Sequence, residues 1–302
     1  MTLRPGEQAL VSVAVSTLWR SPDVVRPEAD APALRTPVET RAWVDGLGQD
    51  DRSGDTDRVL TQLLLGERVI VEEVSGDWAK VIATQQPSSL DDRGYPGWVH
   101  ASHLTQEAVG EGVDLVVEAT ATALRDAPFG DILMPGVSIG TRLVGTELTY
   151  RGWTQVLVPG QPEPAWVRTA DVAEAPDGSA TAEHVLELAE RLLDVPYVWG
   201  GLSPYGLDCS GLVHLACRRY GIQIPRDAHD QAEACKELSA DEAAPGDLYF
   251  FARPGKKIHH VGFVAGERRM LHACSHAGRV VLEPLEGERA ETLVGAKRLL
   301  TA

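Results

Sequence analysis

Hydrophobic and polar residues alternate in short runs through roughly the first 175 residues of the chain. Runs such as RVIVEEVS, WAKVIA and VDLVVEAT are separated by glycine, proline and aspartate. Successive side chains of a β-strand point to opposite faces of a sheet, so a period of two is typical of half-buried strands. The pattern therefore predicts a β-rich region built from strands of about four to eight residues.

A longer pattern recurs inside this β-rich region. GERVIVEEVSGDWAKV and GYPGWVHASHL in the first copy correspond to GTRLVGTELTYRGWTQV and PAWVRTADV in the second. The tryptophans that mark equivalent strands are Trp78 and Trp98 in the first copy, and Trp153 and Trp166 in the second. The repeat predicts two small all-β barrels in tandem, over residues 1–107 and 108–176.

The pattern changes after the turn-rich segment EAPDGSA, residues 174–180. TAEHVLELAERLLD carries apolar residues at helical spacing, and a second helix is expected to begin near Asp208 and to end at Gly221. Strand-like runs follow, namely DLYFFA, HHVGFVAG, RRMLHAC, RVVLEPL and TLVGAKRLL. Helices followed by an antiparallel sheet predict an α+β domain over residues 177–302.

Composition limits the possible partners. The chain has 302 residues, of which 43% are hydrophobic, and a formal net charge of -16. This charge argues against nucleic acid or an anionic membrane as the principal partner, because both require a basic surface. The chain shows no signal-peptide pattern and no apolar run near the length of about 18 residues that suggests a membrane span. We therefore expect a cytoplasmic protein that binds neither nucleic acid nor membrane.

One of the four cysteines stands apart from the others. The cysteines are Cys209, Cys217, Cys235 and Cys274, and no two form a C-x-x-C pair. In GLDCSGLVHLACRRYG, Cys209 directly precedes the expected helix. The unpaired amide groups and the dipole of a helix start favour a thiolate, so Cys209 is a candidate nucleophile. Cys217 has no such help, and we interpret it as a packing residue.

Histidines in the strand-like runs supply a candidate base. A nucleophilic cysteine needs a base, and the base needs an orienting partner. IHHVGFVAG is typical of a strand, so only one of His259 and His260 can face Cys209. His272, in the next run, is placed to hydrogen-bond the far nitrogen of that imidazole and to fix its tautomer.

Three motifs in this order resemble the NlpC-type cell-wall cysteine peptidases, a papain-like group with the cysteine first and both histidines later. They are DCSGLV, HHVGFV and LHA, and VPYVWGG, IPRDAHDQ and APGDLYFF match as well, so the resemblance covers residues 181–302. It implies that Cys209 is the nucleophile, His260 the base and His272 the orienting residue, without a metal or other cofactor. It also implies that Tyr197 is a candidate second oxyanion donor, beside the backbone N–H of Cys209.

The β-rich half narrows the resemblance. Two SH3-like modules ahead of an NlpC-type domain, with GDWAKV, QQP and GYPGWV in the first, are similar to the intracellular members that recycle murein peptides. The family hydrolyses murein stem peptides, typically between γ-linked D-Glu and the diamino acid. These members require a free L-Ala amino terminus, so the resemblance implies short murein stem peptides with that terminus as the substrate.

The resemblance also assigns substrate contacts. Tyr95 is expected to border the subsite for the N-terminal alanine, Asp208 to receive the substrate ammonium, and Ser210 to bind the substrate backbone. Asp227 and the following alanine stand where many relatives have a hydroxyl residue, so Arg226 is an alternative contact for the D-Glu carboxylate. Barrel packing is the alternative role for Tyr95, core packing for Tyr197, helix capping for Asp208 and a structural role for Arg226.

Other functions stay open on the sequence alone. HACSH places His272, Cys274 and His276 on one face of a strand, and together with His260 they form a candidate zinc site. That interpretation leaves the position of Cys209 unexplained. A murein-binding protein without activity, and hydrolysis or acyl transfer on another γ-glutamyl amide, are further alternatives. The sequence does not predict the preferred diamino acid, the role of the second barrel or the oligomeric state.

Overall fold

The alternating runs of the N-terminal half form two seven-stranded antiparallel sheets in the computed structural model of the protein. The structure describes residues 3–176, 178–239 and 242–299. The strands of the first sheet are β1 (Gln8–Val11), β2 (Val15–Trp19), β3 (Val59–Leu64), β4 (Arg68–Ser75), β5 (Trp78–Ala83), β6 (Tyr95–His100) and β7 (Leu104–Thr105). Those of the second are β8 (Val113–Val117), β9 (Ala121–Arg125), β10 (Ile132–Ser138), β11 (Arg142–Tyr150), β12 (Trp153–Leu157), β13 (Ala165–Arg168) and β14 (Val172–Glu174).

The two sheets share one topology. The first has the strand order β3-β2-β6-β5-β4-β1-β7, and the second has the order β10-β9-β13-β12-β11-β8-β14. The second order is the first with seven added to each number, so the recurring sequence pattern corresponds to a repeated fold. A 3₁₀ turn precedes the last strand of each sheet, Ala101–His103 in the first and Thr169–Asp171 in the second.

The first unit is not all-β, which corrects the expectation from the sequence. A 3₁₀ turn (Pro22–Val24) and the short helices α1 (Ala31–Leu34), α2 (Thr40–Asp45) and α3 (Gln49–Ser53) lie between β2 and β3. Trp43 is buried in this insertion and donates a hydrogen bond from Nε1 to Oδ1 of the buried Asp30 (3.0 Å). Helices of one to two turns are too short to show a 3.6-residue period, so the pattern did not reveal them.

The C-terminal domain has the predicted α+β composition. Its helices are α4 (Ala182–Glu190), α5 (Cys209–Arg219), α6 (Ala228–Ala234) and α7 (Gly287–Thr292). A two-stranded sheet joins β15 (Leu202–Ser203) and β16 (Gly206–Leu207). The main sheet has the order β17-β22-β18-β19-β20-β21, formed by β17 (Lys236–Glu237), β18 (Leu248–Phe251), β19 (His260–Val264), β20 (Arg269–Cys274), β21 (Arg279–Pro284) and β22 (Leu293–Arg298).

The predicted helices and strands of this domain are confirmed. Thr181 caps α4 through a capping box with His184, and α5 begins at Cys209 after the cap residue Asp208. The chain leaves α5 through Gly221, which has a positive φ of 74°. All five strand-like runs of the sequence are strands of the main sheet, and α5 packs on β19 and β20. Within the described residues, no helix has the length and hydropathy of a membrane span.

Three consecutive residues, the last of which begins β2, contribute to three different cores. Val13 lies in the core of the first sheet, Ala14 in the core of the second sheet, and Val15 in the core of the C-terminal domain. The end of β3 is shared in the same way. Leu63 lies in the core of the first sheet, Leu65 in that of the second sheet, and Leu64 in that of the C-terminal domain. The three units are therefore joined by continuous hydrophobic packing.

The helical insertion also packs against the C-terminal domain. The backbone N–H of Trp199 donates to the carbonyl of Arg52 (3.0 Å), and the indole of Trp199 covers Gly54. A Cβ at Gly54 would lie 2.3 Å from Cδ2 of Trp199, and the residue has φ of 91°. Only glycine has no Cβ to meet Trp199 and adopts this positive φ without strain.

Replacing Gly54 tests this contact. We expect Gly54→Ala to lower the free energy of unfolding by about 1 kcal/mol through its positive φ, with a further loss from displacing Trp199. Gly76→Ala is the matched control, because Gly76 also has a positive φ (58°) but no atom within 4 Å of a Cβ. Urea denaturation of both variants measures the difference, and equal losses would contradict a tight Gly54–Trp199 contact.

Candidate active site

A cleft of about 910 Å³ lies between the first β unit and the C-terminal domain. Tyr95 lines it from β6, Cys209 from the start of α5, and His260 from β19. Of the residues predicted to act on or bind substrate, the following also line it: Tyr197, Asp208, Ser210 and Asp227. Residues from separate parts of the sequence thus meet at one surface.

Cys209 is held at the first position of α5 by its neighbour. Oδ1 of Asp208 accepts the backbone N–H of Gly211 (2.6 Å), which caps the helix, and Oδ2 accepts the N–H of Gly200 (2.8 Å). Helix capping, the alternative role for Asp208, is therefore observed. Cys209 is 8% exposed.

The environment of the Cys209 thiol opposes its ionisation. Burial, followed by the charge of Asp208, raises its pKa to about 12, although the backbone N–H groups of Val261 and Ser210 act in the opposite direction. The amide groups of the helix start favour ionisation of the thiol, as the sequence predicts, but burial and the adjacent carboxylate oppose it. Burial and the adjacent carboxylate outweigh the first-turn amide groups and the dipole.

His260 and His272 form a hydrogen-bonded pair. Nε2 of His260 lies 2.7 Å from Nδ1 of His272, and the rings are nearly perpendicular at 86°. Of the two candidate histidines, His260 makes this bond, whereas His259 lies just before β19 and is exposed. The backbone N–H of Val261, the residue that follows His260, donates a hydrogen bond to the Cys209 sulfur. The predicted nucleophile and base therefore both line the cleft, and the predicted orienting residue His272 is hydrogen-bonded to the base from a fully buried position.

Burial disfavours the charged form of both imidazoles. Burial, with the nearby Arg289 guanidinium, lowers the pKa of His272 to about 3. Burial, followed by the proximity of His272, lowers the pKa of His260 well below its ordinary value. Burial thus favours the uncharged forms of both the thiol and the base, and from these forms a proton can pass from sulfur to imidazole as the sulfur attacks a carbonyl.

Arg226 lies beneath the cleft and does not line it. Its side chain is 1% exposed, and it binds the Asp208 carboxylate through two hydrogen bonds (3.0 and 2.8 Å). It also donates to Oγ of Ser210 (3.0 Å) and to Oγ1 of Thr61 (2.7 Å) on β3. The expected contact of Arg226 with a substrate carboxylate is therefore replaced by a structural role, the stated alternative.

Tyr95 connects the first β unit to the C-terminal domain. Its hydroxyl donates to Oδ2 of Asp227 (3.0 Å), the residue that precedes α6. Burial, followed by the charge of Asp227, raises the pKa of Tyr95, and burial raises the pKa of Asp227 despite the charge of Arg226. A second bridge runs from the backbone N–H of Arg226 to the carbonyl of Pro87 (3.0 Å), in the QQP segment.

Tyr197 and Ser210 complete the set of expected contacts. Tyr197 is 5% exposed and its ring belongs to the C-terminal core, so it has the packing role as well as a place on the cleft. Burial, followed by the proximity of Cys209, raises its pKa, so its hydroxyl remains a hydrogen-bond donor. The hydroxyl of Ser210 donates to Oδ1 of Asp208 (3.2 Å).

The alternative zinc site is not assembled among the described residues. Within the described residues, the group with ligand atoms within 4.8 Å of one another is His272, Cys274 and Glu283, without His260 or His276. Both nitrogens of His272 are already hydrogen-bonded. Nη2 of Arg289 lies 3.8 Å from Sγ of Cys274, and its positive charge opposes a cation at this position.

Comparison with known proteins agrees with this geometry. Residues 194–298 match the model of the NlpC/P60 family. A γ-D-glutamyl-L-lysine dipeptidyl-peptidase of Bacillus subtilis (strain 168) is 36% identical over 266 residues, which cover 86% of this chain and 88% of the relative. This chain belongs to the NlpC/P60 family.

The similarity to NlpC/P60 proteins extends beyond the C-terminal domain. A Bacillus cereus (strain ATCC 10987 / NRS 248) protein of the same name is 32% identical over 98% of this chain and 92% of its own length. The crystal structure of an NlpC/P60 family protein from Bacillus cereus ATCC 10987, 29% identical, superposes with a TM-score of 0.88 over 98% of this chain and all of that chain. The protein is an NlpC/P60 cysteine peptidase with a β-rich N-terminal part.

Sequence reasoning missed two residues of the NlpC/P60 cleft. Glu283 of β21 hydrogen-bonds His272, and Trp199 borders the cleft where the helical insertion meets it. An isolated acidic residue in RVVLEPL carries no signal until the strand register brings it to the histidine pair. The role of Trp199 depends on the insertion, which the pattern did not reveal.

The thiol pKa makes the alkylation rate of Cys209 depend on pH. We expect the rate with iodoacetamide, followed by peptide mass spectrometry, to rise about tenfold per pH unit between pH 7 and 10, because the thiolate is the reactive form. Cys217 is the control, since it is fully buried away from the cleft and should stay unmodified. A rate for Cys209 that levels off below pH 8 would show that the thiol ionises much more easily.

Removing Arg226 should destabilise the whole protein. We expect Arg226→Met to lower the free energy of unfolding by about 3 to 5 kcal/mol, because the buried Asp208 carboxylate loses its partner. Arg93→Met is the matched control, since Arg93 forms a similar pair with Asp91 at the surface and should change stability little. Chemical denaturation compares the two, and similar losses would argue against the importance of the buried pair.

Proposed function

We propose that the protein hydrolyses the amide bond between γ-linked D-glutamate and the L-diamino acid in short murein stem peptides that have a free N-terminal L-alanine. The observation that carries the proposal is the acidic end of the cleft, where the Asp227 carboxylate lies near that of Asp208 and accepts a hydrogen bond from Tyr95 of the first β unit. Acidic groups at this end suit a peptide that carries an ammonium group. The names of the two Bacillus relatives support the same bond.

Cys209 acts as the nucleophile in this proposal. Its sulfur attacks the γ-carbonyl carbon of D-glutamate while the thiol proton passes to His260, so a tetrahedral oxyanion and an imidazolium form together. His260 then gives this proton to the departing amine of the diamino acid as the C–N bond breaks. The D-glutamyl group remains bound to sulfur as a thioester.

Water completes the reaction. His260 removes a proton from the water as it attacks the thioester carbonyl, and the sulfur leaves and is reprotonated by His260. The backbone N–H of Cys209 at the helix start is the proposed first donor to the oxyanion, and the Tyr197 hydroxyl is the proposed second. The neutral Tyr197 can donate this hydrogen bond at physiological pH.

The substrate ammonium is proposed to bind between Tyr95, Asp208 and Asp227, and Ser210 to bind the peptide backbone. Asp208 already accepts hydrogen bonds from Arg226, whereas Asp227 receives one bond, from Tyr95, and has no ion pair within 4.0 Å among the described residues. A substrate ammonium near these carboxylates would also offset the charge of Asp208 that raises the pKa of Cys209.

Recycling of murein peptides in the cytosol is the proposed setting of this reaction.

A pair of substrates tests the role of the free amine. We expect L-Ala-γ-D-Glu-L-Lys and its diaminopimelate counterpart to be cleaved, and kcat/KM to fall by about 100-fold or more when the alanine is N-acetylated, because the acetyl group removes the positive charge. Chromatographic detection of the released diamino acid measures both rates.

Cys209→Ala is the control for these assays. It should abolish hydrolysis while the peptide still binds in calorimetry, since the substitution removes the nucleophile and leaves the acidic end intact. Equal cleavage of the free and acetylated peptides would refute the recycling role, and retained activity in Cys209→Ala would refute the mechanism.

A further inference from the structure

The hydrogen-bond chain that begins at His260 continues beyond His272. Nε2 of His272 lies 2.9 Å from Oε1 of Glu283 on the neighbouring strand β21. Glu283 pairs with Met270 in the register, and Met270 lies two residues before His272 on β20. The side chains of Glu283 and His272 therefore lie on the same face of the sheet. The histidine is fully buried, whereas the Glu283 side chain is 35% exposed and lines the cleft.

We propose that Glu283 is a positioning residue that acts through His272 and determines which nitrogen of His260 carries the proton. The inference rests on the proposed roles of Cys209, His260 and His272. It adds a fourth member to the catalytic arrangement, at a position for which neither the sequence motifs nor the comparisons indicate a role.

The proton positions follow from the order of donors and acceptors. A carboxylate can only accept, so Nε2 of the neutral His272 must carry the proton that it shares with Glu283. Nδ1 of His272 is then an acceptor, and Nε2 of His260 must donate to it across the 2.7 Å contact. This leaves Nδ1 of His260 with a free lone pair, which is the form required to accept a thiol proton.

The charge of Glu283 also acts on the reaction step. When the thiol proton reaches His260, a positive charge develops on a buried histidine pair, and the carboxylate at its far end stabilises that charge. Other charged or titratable groups lie near the pair or the thiol. They are Arg289 of α7, His259 before β19, Cys274 of β20, and Tyr197, Asp208 and Arg226 near Cys209. Among the described residues, Glu283 is the carboxylate that hydrogen-bonds directly to the pair.

The ring-nitrogen chemical shifts of the full-length protein test the proton positions directly. We expect ¹⁵N NMR at neutral pH to show protonated Nε2 and unprotonated Nδ1 in both His260 and His272, with assignments from single histidine substitutions. In Glu283→Gln the amide can donate as well as accept, so the opposite tautomers should become populated. Protonated Nδ1 in either histidine of the unsubstituted protein would overturn the proposal.

Kinetics of Glu283→Gln and Glu283→Ala test the consequence for catalysis. We expect kcat to fall by about 10- to 100-fold in both variants with KM within about twofold, because the residue acts on the base and not on substrate binding. Loss of a negative charge lowers the pKa of neighbouring groups, so both limbs of the pH profile should move to lower pH. A purely structural role would not shift these limbs.

Glu291→Gln provides the matched control, since Glu291 is exposed and does not line the cleft. Its kcat and pH profile should equal those of the unsubstituted protein, and thermal denaturation should show all three variants folded. Unchanged kcat and limbs in both Glu283 variants would overturn the proposal. If no murein peptide is cleaved by the unsubstituted protein, the proposed function fails, while the NMR result still decides the tautomers.

Discussion

The buried ion pair between Asp208 and Arg226 is the interaction on which the site depends. Asp208 caps the helix that begins at Cys209 and holds the loop at Gly200, and Arg226 neutralises it from below. The same guanidinium reaches Thr61 on β3, so the pair also ties the catalytic helix to the first β unit. Removing water from two charges costs several kcal/mol per ion, and this cost is offset only while every hydrogen bond is in place.

This arrangement has a chemical cost for the nucleophile. The carboxylate that positions Cys209 also opposes its ionisation, and burial adds to that effect. Burial and this carboxylate therefore both oppose a preformed ion pair of thiolate and imidazolium. The reactivity of the thiol then depends on which nitrogen of His260 carries the proton. The hydrogen bonds from His260 to His272 and from His272 to Glu283 are proposed to determine this.

Local patterns predicted the parts of the molecule that depend on local interactions. The period of two revealed the strands, the repeated tryptophan-containing runs revealed two copies of one topology, and the cap residues placed α5 within a residue of its start. Contacts between distant segments were not readable. The bond from Tyr95 to Asp227, the partners of Arg226 and the position of Glu283 depend on strand register and on how the units pack.

The three hydrophobic cores that share the segment leading into β2 limit how this architecture can change. Val13, Ala14 and Val15 each complete a different core, so a change in the register of one strand disturbs all three units at once. An exchange of the catalytic domain between relatives would have to preserve the partners of Val15 and Leu64 as well as its own fold. The segment from Val13 to Val15 therefore couples the stability of the catalytic domain of this chain to that of both β units.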